Sequence, residues 1–155
     1  MHGWDDLFAA ELGASAALTG LLFVSVSINL EKILKYPHLP TRALEALGVL
    51  LCVLVVATFG LVPDQSPVAL GLEIGITGLA TWAIQTMALM RTRKSGYESA
   101  LRYFFNQAPA LPFVVAGVLM ALGSPSGIYW VVPGTLLCIV SGAFSAWILL
   151  VEIQR

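Results

Sequence analysis

Five apolar runs, each near the length needed to cross a lipid bilayer and joined by short connections, constrain this chain more than any other feature. They cover 8–30, 43–62, 68–90, 107–122 and 128–151. At about 1.5 Å of rise per residue, a helix of some twenty residues matches a hydrocarbon core about 30 Å thick. Lipid offers no hydrogen bonds, so a run of this kind satisfies its own backbone by becoming a helix. Charge agrees: 11% of the residues are charged, against about 25% in ordinary soluble domains. The expected fold is all-α, a polytopic membrane helix bundle of five transmembrane helices forming a single domain over 1–155. The run 107–122 is the shortest, and Pro109 and Pro112 fall in its opening turns, where a missing N–H costs least.

The basic residues orient the bundle. Lys32, Lys35 and Arg42 lie in the first connection, Arg91, Arg93, Lys94 and Arg102 in the third, and Arg155 ends the sequence. Five spans with the N-terminus outside and the C-terminus cytoplasmic put all of them on the cytoplasmic side, as the positive-inside rule requires. The opening MHGWDDLF is acidic rather than basic, so the first run reads as a retained helix and not a cleaved signal peptide. The outer connections PDQSP and GSPSG are short, which makes the second and third spans antiparallel neighbours, and likewise the fourth and fifth. Within the third connection, GYESALRYFFN can form an amphipathic helix at the cytoplasmic surface. Trp4, Tyr129 and Trp130 fall where an outer aromatic belt would lie, and Trp147 near the inner one.

The first run is too polar to face lipid on every side, and it is expected to be the inner element of the bundle. A helical projection puts Glu11, Ser15, Thr19, Ser25 and Asn29 on one broad face, and Gly13, Ala16, Gly20 and Ser27 on the opposite one. The third run repeats the arrangement. Glu73, Thr77, Thr81 and Gln85 follow one another at four-residue steps, with Gly71, Gly75 and Gly78 grouped on the other side. ELGASAALT and EIGITGLAT share one pattern, and an offset of 62 aligns Glu11 with Glu73, Thr19 with Thr81 and Pro63 with Pro125. A duplicated helical hairpin is one reading of that offset.

An ionisable side chain within a span is a functional candidate because leaving it there unsolvated costs several kcal/mol, of order 3. Each glutamate can stay charged in a watery vestibule, bind a cation or hold a proton. Asp5, Asp6 and Asp64 add negative charge at the same membrane face, and such a base-free acidic mouth concentrates cations. The candidate ion path is therefore Glu11, Ser15, Thr19, Ser25, Asn29, Glu73, Thr77 and Thr81, entered past Asp5, Asp6 and Asp64. Gly13, Gly20, Gly71, Gly75 and Gly78 are candidate helix-packing positions. The competing reading is structural: hydroxyls in membrane helices often bond the carbonyl four residues back and do nothing more.

Catalysis finds little support. His2 and His38 have no metal-ligand spacing, Cys52 and Cys138 read as buried small hydrophobes, and there is no HExxH or phosphate-binding glycine loop. No enzyme activity, metal or cofactor is expected, and the near-neutral net charge of −1 gives no reason to expect a nucleic-acid partner.

LTGLLFVSVSINL followed by KILKYPHLPTRALEAL resembles a family of small multi-pass bacterial inner-membrane proteins, some of which are labelled as modulators of a membrane-anchored AAA protease. The resemblance covers mainly the first two spans. It implies a bacterial inner-membrane location and an accessory role, and it carries no site residues. Two functions are thus expected: an oligomeric cation or proton channel or transport protein with an acidic outer mouth, or an accessory membrane protein acting through helix contacts with a membrane partner. Membrane lipids and further copies of the chain are the expected partners in either case.

Overall fold

The computed structural model describes residues 3–36, 39–92 and 106–153. The expected amphipathic segment 96–106, all but its last residue, and most of the basic third connection lie outside the described residues. The elements in order are α1 (Asp5–Ile28), α2 (Leu30–Leu34), α3 (Leu39–Gly60), α4 (Pro67–Thr92), α5 (Leu111–Ala121), a 3-10 segment (Pro125–Trp130) and α6 (Val131–Ile153). Among the described residues four helical stretches are long and apolar enough to cross a membrane: α1, α3, α4, and the 3-10 segment continuing into α6. These findings make the chain an all-helical protein compatible with integral membrane insertion.

α1, α3 and α4 begin before their apolar runs because helix and hydrophobicity are separate signals. α3 begins at Leu39, not at 43, since Pro40 is tolerated in a first turn. α4 begins at Pro67, where the Ser66 hydroxyl accepts a 3.2 Å bond from the Ala69 N–H and caps the helix. The first connection is not wholly irregular: α2 folds back so that Ile33 packs with Leu39 and Ala43.

The centre of the bundle is α3, which packs against α1, α4 and α6. Half of its most apolar stretch is buried, against 22% of the corresponding stretch of α1 and 28% of that of α4. The segment LGVLLCVLVVA is apolar all round, and a helix of that kind belongs in the interior. This corrects the expectation that the first run is the inner element. α1 turns only its polar face inward, and its small face has no neighbour: Cβ atoms built on Gly13 and Gly20 would meet nothing within 4 Å. Phe8, Val53, Val56, Ile74, Phe113 and Val131 belong to the principal core cluster. Leu21, Phe23, Ile28, Ile76, Met87 and Leu122 are each more than half exposed. So many uncovered large apolar side chains would be anomalous in water and are ordinary against acyl chains.

The most extensive interface joins α4 to α5. Gly71, Gly75 and Gly78 on α4 face Met120, Gly117 and Phe113 on α5, so the two helices run antiparallel with backbones nearly touching. The expected run 107–122 is not one continuous helix. Asn106 and Gln107 are helical, Ala108–Ala110 turn, and α5 then has only 11 residues, about 16 Å of rise. Pro109 and Pro112 supply the cause: each lacks an N–H, and within a continuous helix a proline ring crowds the carbonyl four residues back. α5 ends in a Schellman motif. Gly123, at φ +81, donates to Met120 O and the Ser124 N–H to Leu119 O.

Candidate functional site

Side chains that a membrane interior tolerates poorly collect in two places inside the bundle. The first lies on the inward face of α1. Glu11 is 7% exposed and Ser15 is fully buried, while Thr19, Ser25 and Asn29 are partly buried on the same side. The sequence projection is therefore correct for α1. Ser15 Oγ donates to Leu12 O at 3.1 Å, and Asn29 Nδ2 to Ser25 O at 2.9 Å, so these two groups are occupied locally. Glu11 is different. Its carboxyl group faces the hydroxyl of Thr135 on α6, and Glu11 Oε2 and Thr135 Oγ1 have no partner besides each other. Thr19 Oγ1, two helical turns further along α1, is also buried without a partner. Buried polar atoms are nearly always paired, so the Glu11 and Thr19 oxygens on α1 and the Thr135 hydroxyl facing Glu11 from α6 make this place a candidate site.

Glu73 belongs to other surroundings. It is partly buried on α4, and its Oε2 accepts a bond from Gln65 Nε2 in the preceding turn. Thr77 Oγ1 donates to Glu73 O at 2.7 Å and Thr81 Oγ1 to Thr77 O at 2.9 Å. The α4 stripe is thus largely spent on its own backbone, the structural outcome named above. Glu11 and Glu73 resemble each other in sequence but have different partners: Thr135 of α6 for one, Gln65 for the other. Asp5 and Asp64 lie together at one rim of a cavity of about 410 Å³, with Gly60 and Gln65 also in its wall. Gly71, Gly75 and Gly78 do pack helices, whereas a Cβ on Gly13 or Gly20 would meet no other element among the described residues.

The second polar place surrounds the break before α5. Gln85 Nε2 donates to the Glu45 carbonyl at 3.0 Å, and Asn106 Nδ2 lies 3.5 Å from Gln85 Oε1. The Gln107 amide bonds the Thr86 hydroxyl at 3.1 Å. Cys138 Sγ donates to Pro109 O at 3.7 Å, taking up a carbonyl freed by the broken helix. Broken helices persist in membranes when neighbouring side chains re-satisfy the backbone in this way. Cys138 of α6 and Cys52 of α3 are both buried free thiols that meet in the core, with Thr81 beside Cys52. A double-mutant cycle of Gln85→Leu and Asn106→Leu, read from unfolding in mixed micelles, is expected to give a coupling of about 0.6 kcal/mol and no more than about 1.7 kcal/mol.

Sequence reasoning overlooked Thr135, Asn106 and the meeting of the cysteines. For Thr135 a signal was present: the offset of 62 that carries Glu11 to Glu73 carries Glu73 to Thr135. For Asn106 and the cysteines there was none, because their meeting depends on how α4, α5 and α6 pack.

Comparison with protein-family models, curated proteins and solved structures finds no match. The functional reading therefore rests on the chain's own geometry.

Proposed function

We propose that this membrane protein binds and passes protons, with Glu11 as the group that takes them up. The observation that carries the reading is a carboxylate only 7% exposed, whose Oε2 has no partner but the Thr135 hydroxyl that faces it from another helix. An isolated carboxyl group in such a place is a functional candidate by default. A dehydrated metal cation such as Ca²⁺ or Mg²⁺ wants about six oxygens, whereas Glu11 and Thr135 offer a short set, and the described residues contain no cluster of three or more metal-ligating acidic, His or Cys side chains. A proton needs only one lone pair. Thr19 continues the polar face toward Ser25 and Asn29, and hydroxyls with intervening water form a hydrogen-bonded route along α1. Glu73 is not needed for this path.

In this reading the chain crosses the membrane five times, the broken segment 106–121 serving as the fourth crossing, with Asp5, Asp6 and Asp64 outside and the basic connections in the cytoplasm. The positive-inside bias supports that orientation, and the family resemblance supports a bacterial inner membrane. The test is proton flux into proteoliposomes under an imposed pH gradient. Wild-type protein should acidify the lumen, and a Glu11→Gln variant that keeps its unfolding midpoint should not. A wild type that passes nothing, or a variant that passes protons equally well, ends the proposal.

A second reading has its own observation. The outer face of α1, with Ala9, Gly13, Ala16, Ala17 and Gly20 exposed, has no neighbour within the chain. Small faces of this kind let membrane helices approach closely, which fits a second copy or a membrane partner. The Gly13→Leu/Gly20→Leu variant is expected to unfold within about 0.5 kcal/mol of wild type, since it adds bulk where nothing is packed. Under this reading the same variant loses oligomers or a co-purifying partner on native gels; retention of both excludes it.

A further inference from the structure

The end of the bundle that carries Asp5, Asp6 and Asp64 holds a cleft of about 690 Å³ between the start of α1 and the 3-10 segment. Trp4, Tyr129, Met120 and Ile128 form its largely apolar wall, and the Ser124 and Ser126 hydroxyls, bonded to each other at 2.8 Å, add polar groups. The Trp4 and Tyr129 rings meet edge to face, with centroids 5.1 Å apart and planes at 79°. Two rings at near right angles, both lining one cleft, form two walls of an aromatic corner. That geometry goes beyond interfacial anchoring, for which neither ring needs the other.

Size, lining and charge together narrow the occupant. The volume falls within the range of about 300–1,000 Å³ common to small-molecule sites, and an apolar wall with few polar groups is the usual lining. The surrounding field is negative. Asp5, Asp6 and Asp64 are exposed at this end, and the described basic residues lie at the opposite end of the bundle: Lys32 and Lys35 beyond the C-terminus of α1, Arg42 in the first turn of α3 and Arg91 in the last turn of α4. Yet no carboxylate lines the cleft itself, so a compact inorganic cation would lose its water there without oxygen ligands in return. A cation with its charge spread under methyl or aryl groups loses little water, gains apolar contact and is attracted by aromatic faces. Neutral and anionic ligands gain nothing from the field.

We propose that this cleft is a binding site for a hydrophobic quaternary ammonium compound, held between Trp4 and Tyr129 and drawn in by the aspartates around it. The chemistry is shared by a free organic cation and by the choline headgroup of a lipid. The site is independent of the Glu11 reading, because Glu11 is not among its residues.

Calorimetric titration of the purified protein in maltoside micelles with benzyltrimethylammonium tests the proposal, with neopentylbenzene as the uncharged isostere. Saturable binding of the cation is expected, with the isostere at least about tenfold weaker. Trp4→Ala and Tyr129→Leu should each weaken the cation by about tenfold. Tyr129 is two-thirds exposed, so its replacement leaves the core intact even if Trp4→Ala disturbs Phe8. Asp5→Asn/Asp6→Asn should weaken binding severalfold and flatten its salt dependence. Repeating the titration in phosphatidylcholine and phosphatidylglycerol nanodiscs separates the sources: binding lost only in phosphatidylcholine assigns the site to the lipid headgroup, and equal binding in both assigns it to a free cation. No binding in micelles, equal affinity for the isostere, or a folded Tyr129→Leu variant that binds like wild type overturns the proposal.

Discussion

Replacing Gly117 with leucine is expected to abolish the native packing of α4 on α5, and Gly117→Ala to weaken it by about 2 kcal/mol. A methyl group on Gly117 would lie 2.7 Å from both Gly71 O and Gly75 N and closer still to Gly75 Cα. These are backbone atoms of a continuous helix, so no rotamer change relieves the overlap. Leucine adds three further carbons to the same place, and the cost rises above the roughly 1–3 kcal/mol of ordinary overpacking. The helices must separate, and with them goes the seat of Phe113, whose ring fills the space over Gly134. Unfolding by SDS titration in mixed micelles measures the effect. A Gly117→Leu variant with a wild-type midpoint would mean that α5 does not lie against α4 in this register.

The other large effect is on flux. Glu11→Gln keeps the size and hydrogen-bonding capacity of the side chain but cannot exchange a proton, so flux should fall to the level of empty vesicles. Glu73→Gln is the matched control, since it changes the residue at the equivalent place in the repeated pattern, where the carboxylate is already bonded to Gln65. It should leave flux unchanged. Thr135→Val keeps the shape of the threonine and removes its hydroxyl, and it should slow flux without abolishing it, because Thr135 orients the carboxyl group and does not carry the proton. Equal losses in Glu11→Gln and Glu73→Gln would instead favour a mouth shared by both glutamates.

Much of this architecture is legible in the sequence, for stated reasons. Apolar runs near twenty residues announce α1, α3, α4 and α6, because lipid thickness leaves little freedom of length. The inward and outward faces of α1 follow from helical periodicity alone, and the buried Glu11 and Ser15 against the exposed Gly13 and Gly20 agree with it. The centre of the bundle was harder to find. Polarity singles out the first run, while α3, with nothing but apolar side chains through its middle, carries no signal except its uniformity. The break at Ala108–Ala110 was also missed, although Pro109 and Pro112 were in view. Prolines near a helix start are compatible with a simple beginning, and only the helical Asn106 and Gln107 before them turn that beginning into an interruption. Glu73 shows the limit of pattern matching. Its sequence surroundings copy those of Glu11, but Gln65, eight residues earlier and in a turn, decides its role.

The central position of α3 also has a consequence for how the protein is made. α3 follows α1 and precedes α4 and α6 in the chain, so the element on which all three rest is synthesised before two of its partners. α1 and α3 can pair as a hairpin at once, and each later helix finds a finished wall to dock on. α5 likewise finds its glycine seat ready, since α4 precedes it in the chain. Synthesis order and packing order coincide, and the chain builds outward from its own middle.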